Sequence, residues 1–230
     1  MISMRTVAAG VLGLALATLT LQSQTRSRYR NFPLGENLPS ISALAGVAAS
    51  EARTIHLRPA MMQELQWQRP YGTGATAAQT DPVKQIVFSF YNDQLSKMVV
   101  DYDHQRTAGM TDADLIGALS IEYGTQSKPG AKTGRGVSSR AEEESGTVVA
   151  RWGDADYSVV LYRSPYESGF RIIVISPRLD ALARAADAQA MVLDEREAPR
   201  LEIARQKKET EDARASLEKA RVANKAVFRP

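Results

Sequence analysis

Apolar and polar residues alternate most regularly between Val83 and Tyr102. In KQIVFSFY (84–91), Ile86, Phe88 and Phe90 share one side of an extended chain and Val87, Ser89 and Tyr91 the other. In LSKMVVDY (95–102), Met98, Val100 and Tyr102 form one face and Leu95, Lys97, Val99 and Asp101 the opposite one. A period of two marks half-buried strands. Asn92-Asp93-Gln94 between them has turn chemistry, so the pair reads as a hairpin. A hairpin alone is marginal in water, so its apolar face needs a cover. The next periodic segment supplies one. Leu115, Ile116, Leu119 and Tyr123 recur at helical spacing. Thr111 and Asp114 make an acidic variant of the capping box, and Gly124 stands where a C-terminal cap glycine belongs. The spacing predicts a helix over 111–123.

Further strands are expected on both sides. RTIHLR (53–58) suits a short strand that Pro59 confines to an edge or an end. In MQELQWQR (62–69), Leu65 and Trp67 alternate with Glu64, Gln66 and Gln68. Beyond a polar stretch at 125–147, the segments 148–152, 157–163 and 170–176 follow with short turns, as an antiparallel meander. The last, FRIIVIS, is almost wholly apolar, as a strand covered on both faces would be. Near the start, Ser40 is positioned to cap a short helix carrying Ile41, Leu44 and Val47. The fold class expected is α+β: an antiparallel sheet of about five or six strands, one helix on a face, and a long charged C-terminal helix.

That last helix opens at Pro177, a residue favoured at a first helical position. Leu179, Leu182, Ala183, Ala186, Ala190 and Leu193 mark an apolar stripe. After Asp194 the character changes: eight acidic and nine basic residues fall among the thirty-two from Asp194 to Lys225. Leu201, Ile203, Leu217 and Val222 are the large aliphatics there, and they do not sustain heptads. Pro199 is expected to break or restart the helix. The tail 194–230 therefore reads as a solvated helix laced with alternating charges, partly disordered near its end, or as a coiled coil that binds a partner or itself.

The N-terminus bears on compartment. Met1–Arg5 carries one positive charge, 7–21 is apolar apart from Thr18 and Thr20, and Gln22, Ser23 and Gln24 follow. This is the layout of a secretory signal over 1–24, with Ala15 and Ala17 fitting a small-x-small cleavage rule and a later cut near Ser23 or Gln24 leaving a fuller apolar run. The apolar run is shorter than the ~20 residues a membrane-crossing helix needs, so an uncleaved anchor is the alternative. Residues 25–39, polar with three arginines and two prolines, are expected to be a linker. The domain is then 40–193, with a mobile loop at 125–147. Export places the protein in the periplasm or outside the cell. Composition narrows the chemistry. An apolar fraction of 43% permits a core, and a net charge of +3 with mixed signs leaves no footprint for nucleic acid. The chain has no cysteine, which excludes disulfides, thiol nucleophiles and lipidated cysteine.

Candidate chemistry is thin. The two histidines, His56 and His104, are far apart in the chain. Asp101, Asp103 and His104 form a local cluster, but along a strand His104 points away from the two aspartates. Asp112 and Asp114 fit a helix N-terminus, and Asp154 and Asp156 fit a turn. Neither Gly72-x-Gly74 nor Gly130-Ala-Lys-Thr has the context of a nucleotide loop. Tyr102, Trp152, Tyr157 and Tyr162 would either line an apolar groove or sit in the core. No catalytic, cofactor-binding or metal-binding residue is assigned, and no cofactor is expected.

RPAMMQELQW, VKQIVFSFYNDQLSKMVVDYD with GMTDADLIGALSIEYG, ARWGDADYSVVLYRS and the tail from LDEREAPRLEIARQ onward together resemble a group of exported bacterial proteins with no assigned activity. The resemblance covers most of the chain beyond residue 50 and brings no catalytic residues with it. The strand–strand–helix order with Gly-Met-Thr before the helix is more loosely similar to small envelope proteins of the outer-membrane-assembly lipoprotein and β-lactamase-inhibitor type, which act by binding proteins. The first resemblance implies an exported protein of unknown role. The charged tail and the long loop motivate the leading expectation, an exported, non-catalytic component of the cell envelope that binds a protein partner through the C-terminal helix or loop 125–147. A small-ligand binder or hydrolase using the aromatic sheet face with Asp103 and His104 is the alternative.

Overall fold

Asn92 and Asp93 both take left-handed backbone, with φ of 46° and 63°. That is the geometry of the two-residue turn whose twist matches a hairpin. Around it the computed structural model places a strand pair, and the rest of the sheet grows from both edges of that pair. Described are residues 26–70, 81–127, 146–164, 169–227 and 229. The expected signal segment 1–24 and most of loop 125–147 lie outside the described residues. The chain divides into two units, Met1–Ala186 and Asp187–Pro230.

In chain order the elements are β1 (Arg28–Tyr29), β2 (Phe32–Pro33), α1 (Leu38–Ala45), a 3-10 turn (Ala49–Glu51), β3 (Arg53–His56), β4 (Met62–Gln68), β5 (Val83–Tyr91), β6 (Gln94–Tyr102), α2 (Asp112–Tyr123), β7 (Thr147–Gly153), β8 (Ser158–Arg163), β9 (Phe170–Ile175) and α3 (Pro177–Val227). β1 and β2 form a small ribbon; the other strands make one sheet in the order β3-β4-β5-β6-β9-β8-β7. Every pairing in it is antiparallel. The fold is α+β with an antiparallel sheet, but among the described residues that sheet has seven strands rather than five or six. All seven segments read as strands join this one sheet, including the short edge strand Arg53–His56 along β4, so the expected total of five or six was too low. Two meanders meet where β6 pairs with β9, so the apolar β9 is internal, as its composition predicts.

One register detail departs from simple alternation. Ser89 pairs with Lys97, but Phe90 pairs with Leu95, leaving Ser96 as an extra residue in β6. The bulge moves Leu95 to the Met98 side, where both are fully buried. Strict period-two counting assigns Leu95 to the wrong face for this reason.

The main core lies on the face carrying Leu65, Ile86, Phe88, Met98, Val100, Leu161, Ile172 and Val174. α2 covers it with Leu115, Leu119 and Tyr123, one residue per helical turn. The predicted cap is present: Thr111 Oγ1 accepts from the Asp114 N–H at 3.3 Å, and Asp114 Oδ2 accepts from the Thr111 N–H at 2.8 Å. After α2 the chain reaches the edge strand β7, and the indole of Trp152 donates to Ser120 Oγ at 3.2 Å. Gly153, φ 140°, ends β7 so close to β8 that a Cβ there would lie 2.3 Å from the Tyr157 carbonyl oxygen. A second cluster, Val160, Tyr162 and Ile173, is buried on the opposite face.

The expected linker 25–39 does not behave as one where it is described. Tyr29, Phe32 and Leu38 join the main core. The Gly35 N–H donates to the Leu95 carbonyl at 2.9 Å, and the Leu95 N–H donates to that of Glu36 at 2.8 Å. Asp93 Oδ1 accepts from the Leu38 N–H at 3.0 Å, so the hairpin turn also anchors the front of α1. The cap of α1 is Asn37, whose Oδ1 accepts from the Ser40 N–H at 2.9 Å; Ser40 is already inside the helix. Gly46, left-handed at φ 67°, ends it.

Two carboxylates tie these parts together. Arg30, in the ribbon turn, pairs with Asp81 at 2.7 Å, and Arg69 pairs with Asp103. The facing guanidinium holds each carboxyl below the usual carboxylate range. A carboxyl with a depressed folded pKa contributes stability above its unfolded value of about 3.9, and that stability is lost as pH falls through the folded value. The melting midpoint should therefore be flat from neutral pH to about 4 and fall below it. In a double variant Asp81→Asn, Asp103→Asn, the midpoint should be lower at neutral pH and its acid decline shallower. An equally steep decline in that variant would remove these pairs from the account.

Candidate protein-interaction arm

The residues with the most chemical promise in the sequence are spent on structure. Asp103 is ion-paired to Arg69, and its Oδ1 accepts from the Gln105 N–H at 2.9 Å. Its carbonyl accepts from the Thr107 N–H and hydroxyl, both at 3.0 Å. A carboxylate with these partners closes the loop after β6. His104 beside it is exposed. Asp101 pairs with Arg171 across β6 and β9 at 2.5 Å. Asp112 pairs with Arg163 at 2.5 Å, while Asp114 belongs to the α2 cap, which holds its carboxyl below the usual range through the Thr111 N–H. Asp154 Oδ1 accepts from the N–H groups of Asp156 and Tyr157, a turn as expected.

The four aromatic residues considered for a groove do not share one. Trp152 and Tyr157 are buried in the main core, and Tyr162 is buried on the other face of the sheet. Tyr102 is partly buried, its hydroxyl 3.4 Å from that of Tyr29. Burial raises the phenols of Tyr29, Tyr102 and Tyr123 above their ordinary value, so all three stay neutral at physiological pH. Alternation along β8 is the physical reason for the split: Val159 and Leu161 face α2, so Tyr162 cannot. A hollow of about 230 Å³ lies beside Lys84, Asp101, Tyr102, Phe170 and Arg171. Asp101 and Arg171 in its lining are paired with each other. Among the described residues no group of three or more His, Asp or Glu is placed to hold a metal ion.

The second unit is different in kind. From Ala198 to Val227 every residue of α3 is exposed. The exposed set includes Leu201 (65%), Ile203 (67%), Leu217 (72%) and Val222 (59%). Pro199 lies inside the helix without ending it. Proline removes one backbone donor, and at an exposed position water satisfies the carbonyl left over. Along this arm Arg205 reaches Glu202 at 3.0 Å and Glu209 at 3.7 Å, Lys207 lies 3.9 Å from Glu211, and Arg221 lies 2.6 Å from Glu218. These are pairs three or four residues apart, which sit side by side on a helix. Solvent screens each of them, so they support the helix without fixing a tertiary contact. A single helix exposed all round has no core of its own, and its large aliphatic side chains stand in water.

No family model, curated protein or solved structure matches this chain. Among the described residues no helix is long and apolar enough to cross a membrane.

Proposed function

We propose that this is an exported, non-catalytic protein of the cell envelope, and that it works by binding a protein partner through the distal part of α3. The observation that carries this reading is the thirty-residue helical run, Ala198 to Val227, exposed throughout and bearing large aliphatic residues. Keeping such side chains in water gives the fold nothing, whereas burying them against a partner stabilises the complex by about 25 cal/mol per Å². The sheet unit supports the reading from the other side. Among its described residues the aspartates singled out above are engaged in pairs, turns and caps, and Trp152, Tyr157 and Tyr162 are buried. Export rests on the N-terminal pattern of one charge, an apolar run and a polar exit.

The test compares the full chain with one ending at Leu193, each used as bait in a membrane and periplasmic extract. Proteins captured by the full chain should be missing from the shortened one. Identical capture by both would remove the arm from the function.

A further inference from the structure

The large aliphatics of the arm have no period taken alone, but the absence of charge does. Ile203, Gln206, Thr210, Ala213, Leu217, Ala220, Asn224 and Val227 follow one another at alternating steps of three and four. Twelve of the twenty-six residues from Glu202 to Val227 are charged, and none falls on these eight. Steps of three and four are the a and d positions of a heptad, the seam along which two helices meet. Before the seam stand Glu202 and Glu209; after it stand Lys207, Arg214 and Arg221. One flank is thus acidic and the other basic over its charged positions. All of these residues are exposed.

We propose that the partner of this arm is a second copy of the same chain, paired through residues 202–227 as a parallel, in-register coiled coil. This deepens the reading of α3 as an interaction arm and rests on it. Charge selects the occupant and its direction. In a parallel pair, the residue before an a position faces the residue after a d position of the other helix. Glu202 of one copy then faces Lys207 of the other, and Glu209 faces Arg214. Antiparallel pairing sets the two acidic flanks against each other and the two basic flanks likewise, and like charges repel. Thr210 and Asn224 are polar residues at a positions, where such groups fix register at a cost in stability. Ala213 and Ala220 at d bury little area, so the pairing is reversible and concentration-dependent. The ion pairs within one helix do not oppose it, because exposed pairs exchange partners at little cost. The seam stops upstream, where Pro199 and Arg196 occupy the next two positions.

Sedimentation equilibrium of the purified full chain should show monomer and dimer in exchange. Leu217→Glu should raise the dissociation constant at least about tenfold, or 1.4 kcal/mol. Glu202→Lys with Glu209→Lys should weaken pairing, and adding Lys207→Glu with Arg214→Glu to the same chain should restore it. Because the protein has no cysteine, Asn224→Cys introduces a lone thiol at the seam. Under a mild oxidant it should cross-link two copies readily, whereas Lys208→Cys, on the outer side, should not. A chain that stays monomeric at every concentration overturns the proposal. So does a dimer indifferent to Leu217→Glu and to the charge exchange, or equal cross-linking at 208 and 224. A monomeric chain whose arm still captures a protein in the truncation comparison defeats self-pairing alone. A monomer with unchanged capture defeats the interaction arm as well.

Discussion

Leu119→Asp is expected to abolish cooperative folding of the sheet unit. Leu119 lies in the middle of the α2 stripe, 9% exposed, between Leu115 and Tyr123. Removing a buried leucine forfeits on the order of 1.5–3 kcal/mol of transfer energy. Placing an ionised carboxylate in that apolar cluster adds a desolvation cost of several kcal/mol. A domain is stable by about 5–15 kcal/mol in all, so the sum reaches the scale of the whole fold. Circular dichroism should show no sharp melt, and gel filtration should show aggregate. A melt like that of the parent chain would mean that α2 does not cover the sheet.

Phe32→Ala should cost about 3–5 kcal/mol, although it lies in a polar, arginine-rich stretch that looks like a linker. Its ring sits 4.9 Å from that of Phe88 at an interplanar angle of 62°, an edge contact. Such a pair contributes about 0.5–1.5 kcal/mol beyond its buried area. The loss also leaves a cavity beneath the ribbon, next to the segment that hydrogen-bonds to Leu95. Urea denaturation followed by tryptophan fluorescence should show the midpoint drop with the slope retained. An unchanged midpoint would return this stretch to linker status.

The parts of the fold legible in the sequence are those where one local rule decides the outcome. The β5–β6 hairpin follows from period-two alternation and a turn pair able to take positive φ. The α2 helix follows from a capping box, an i, i+4, i+8 stripe and a terminal glycine. What escaped detection needs information from elsewhere in the chain. A pair of two-residue strands around Arg30 has no periodicity, and Tyr29 and Phe32 become core only because β5 and β6 present a face to them. Leu95 changes side because of one extra residue, which alternation cannot register. Pro199 sits within a helix because its surroundings are water, a condition that a propensity rule does not contain. The heptad seam of the arm is visible in the sequence, but through where charge is missing rather than where leucine is present. No activity was legible for a chemical reason: the aspartates that stand out are the ones ion pairs and caps require.

The molecule divides into a sheet unit that holds the core and an exposed helical arm proposed as the binding element. Thermal melting of the chain ending at Leu193 beside the full chain tests that division most directly. The sheet unit should melt at the same midpoint and with the same cooperativity in both, because every residue of the arm from Ala198 to Val227 is exposed. A lower or broadened transition in the shortened chain would show that the arm is needed to hold the sheet unit together, and would contradict the account.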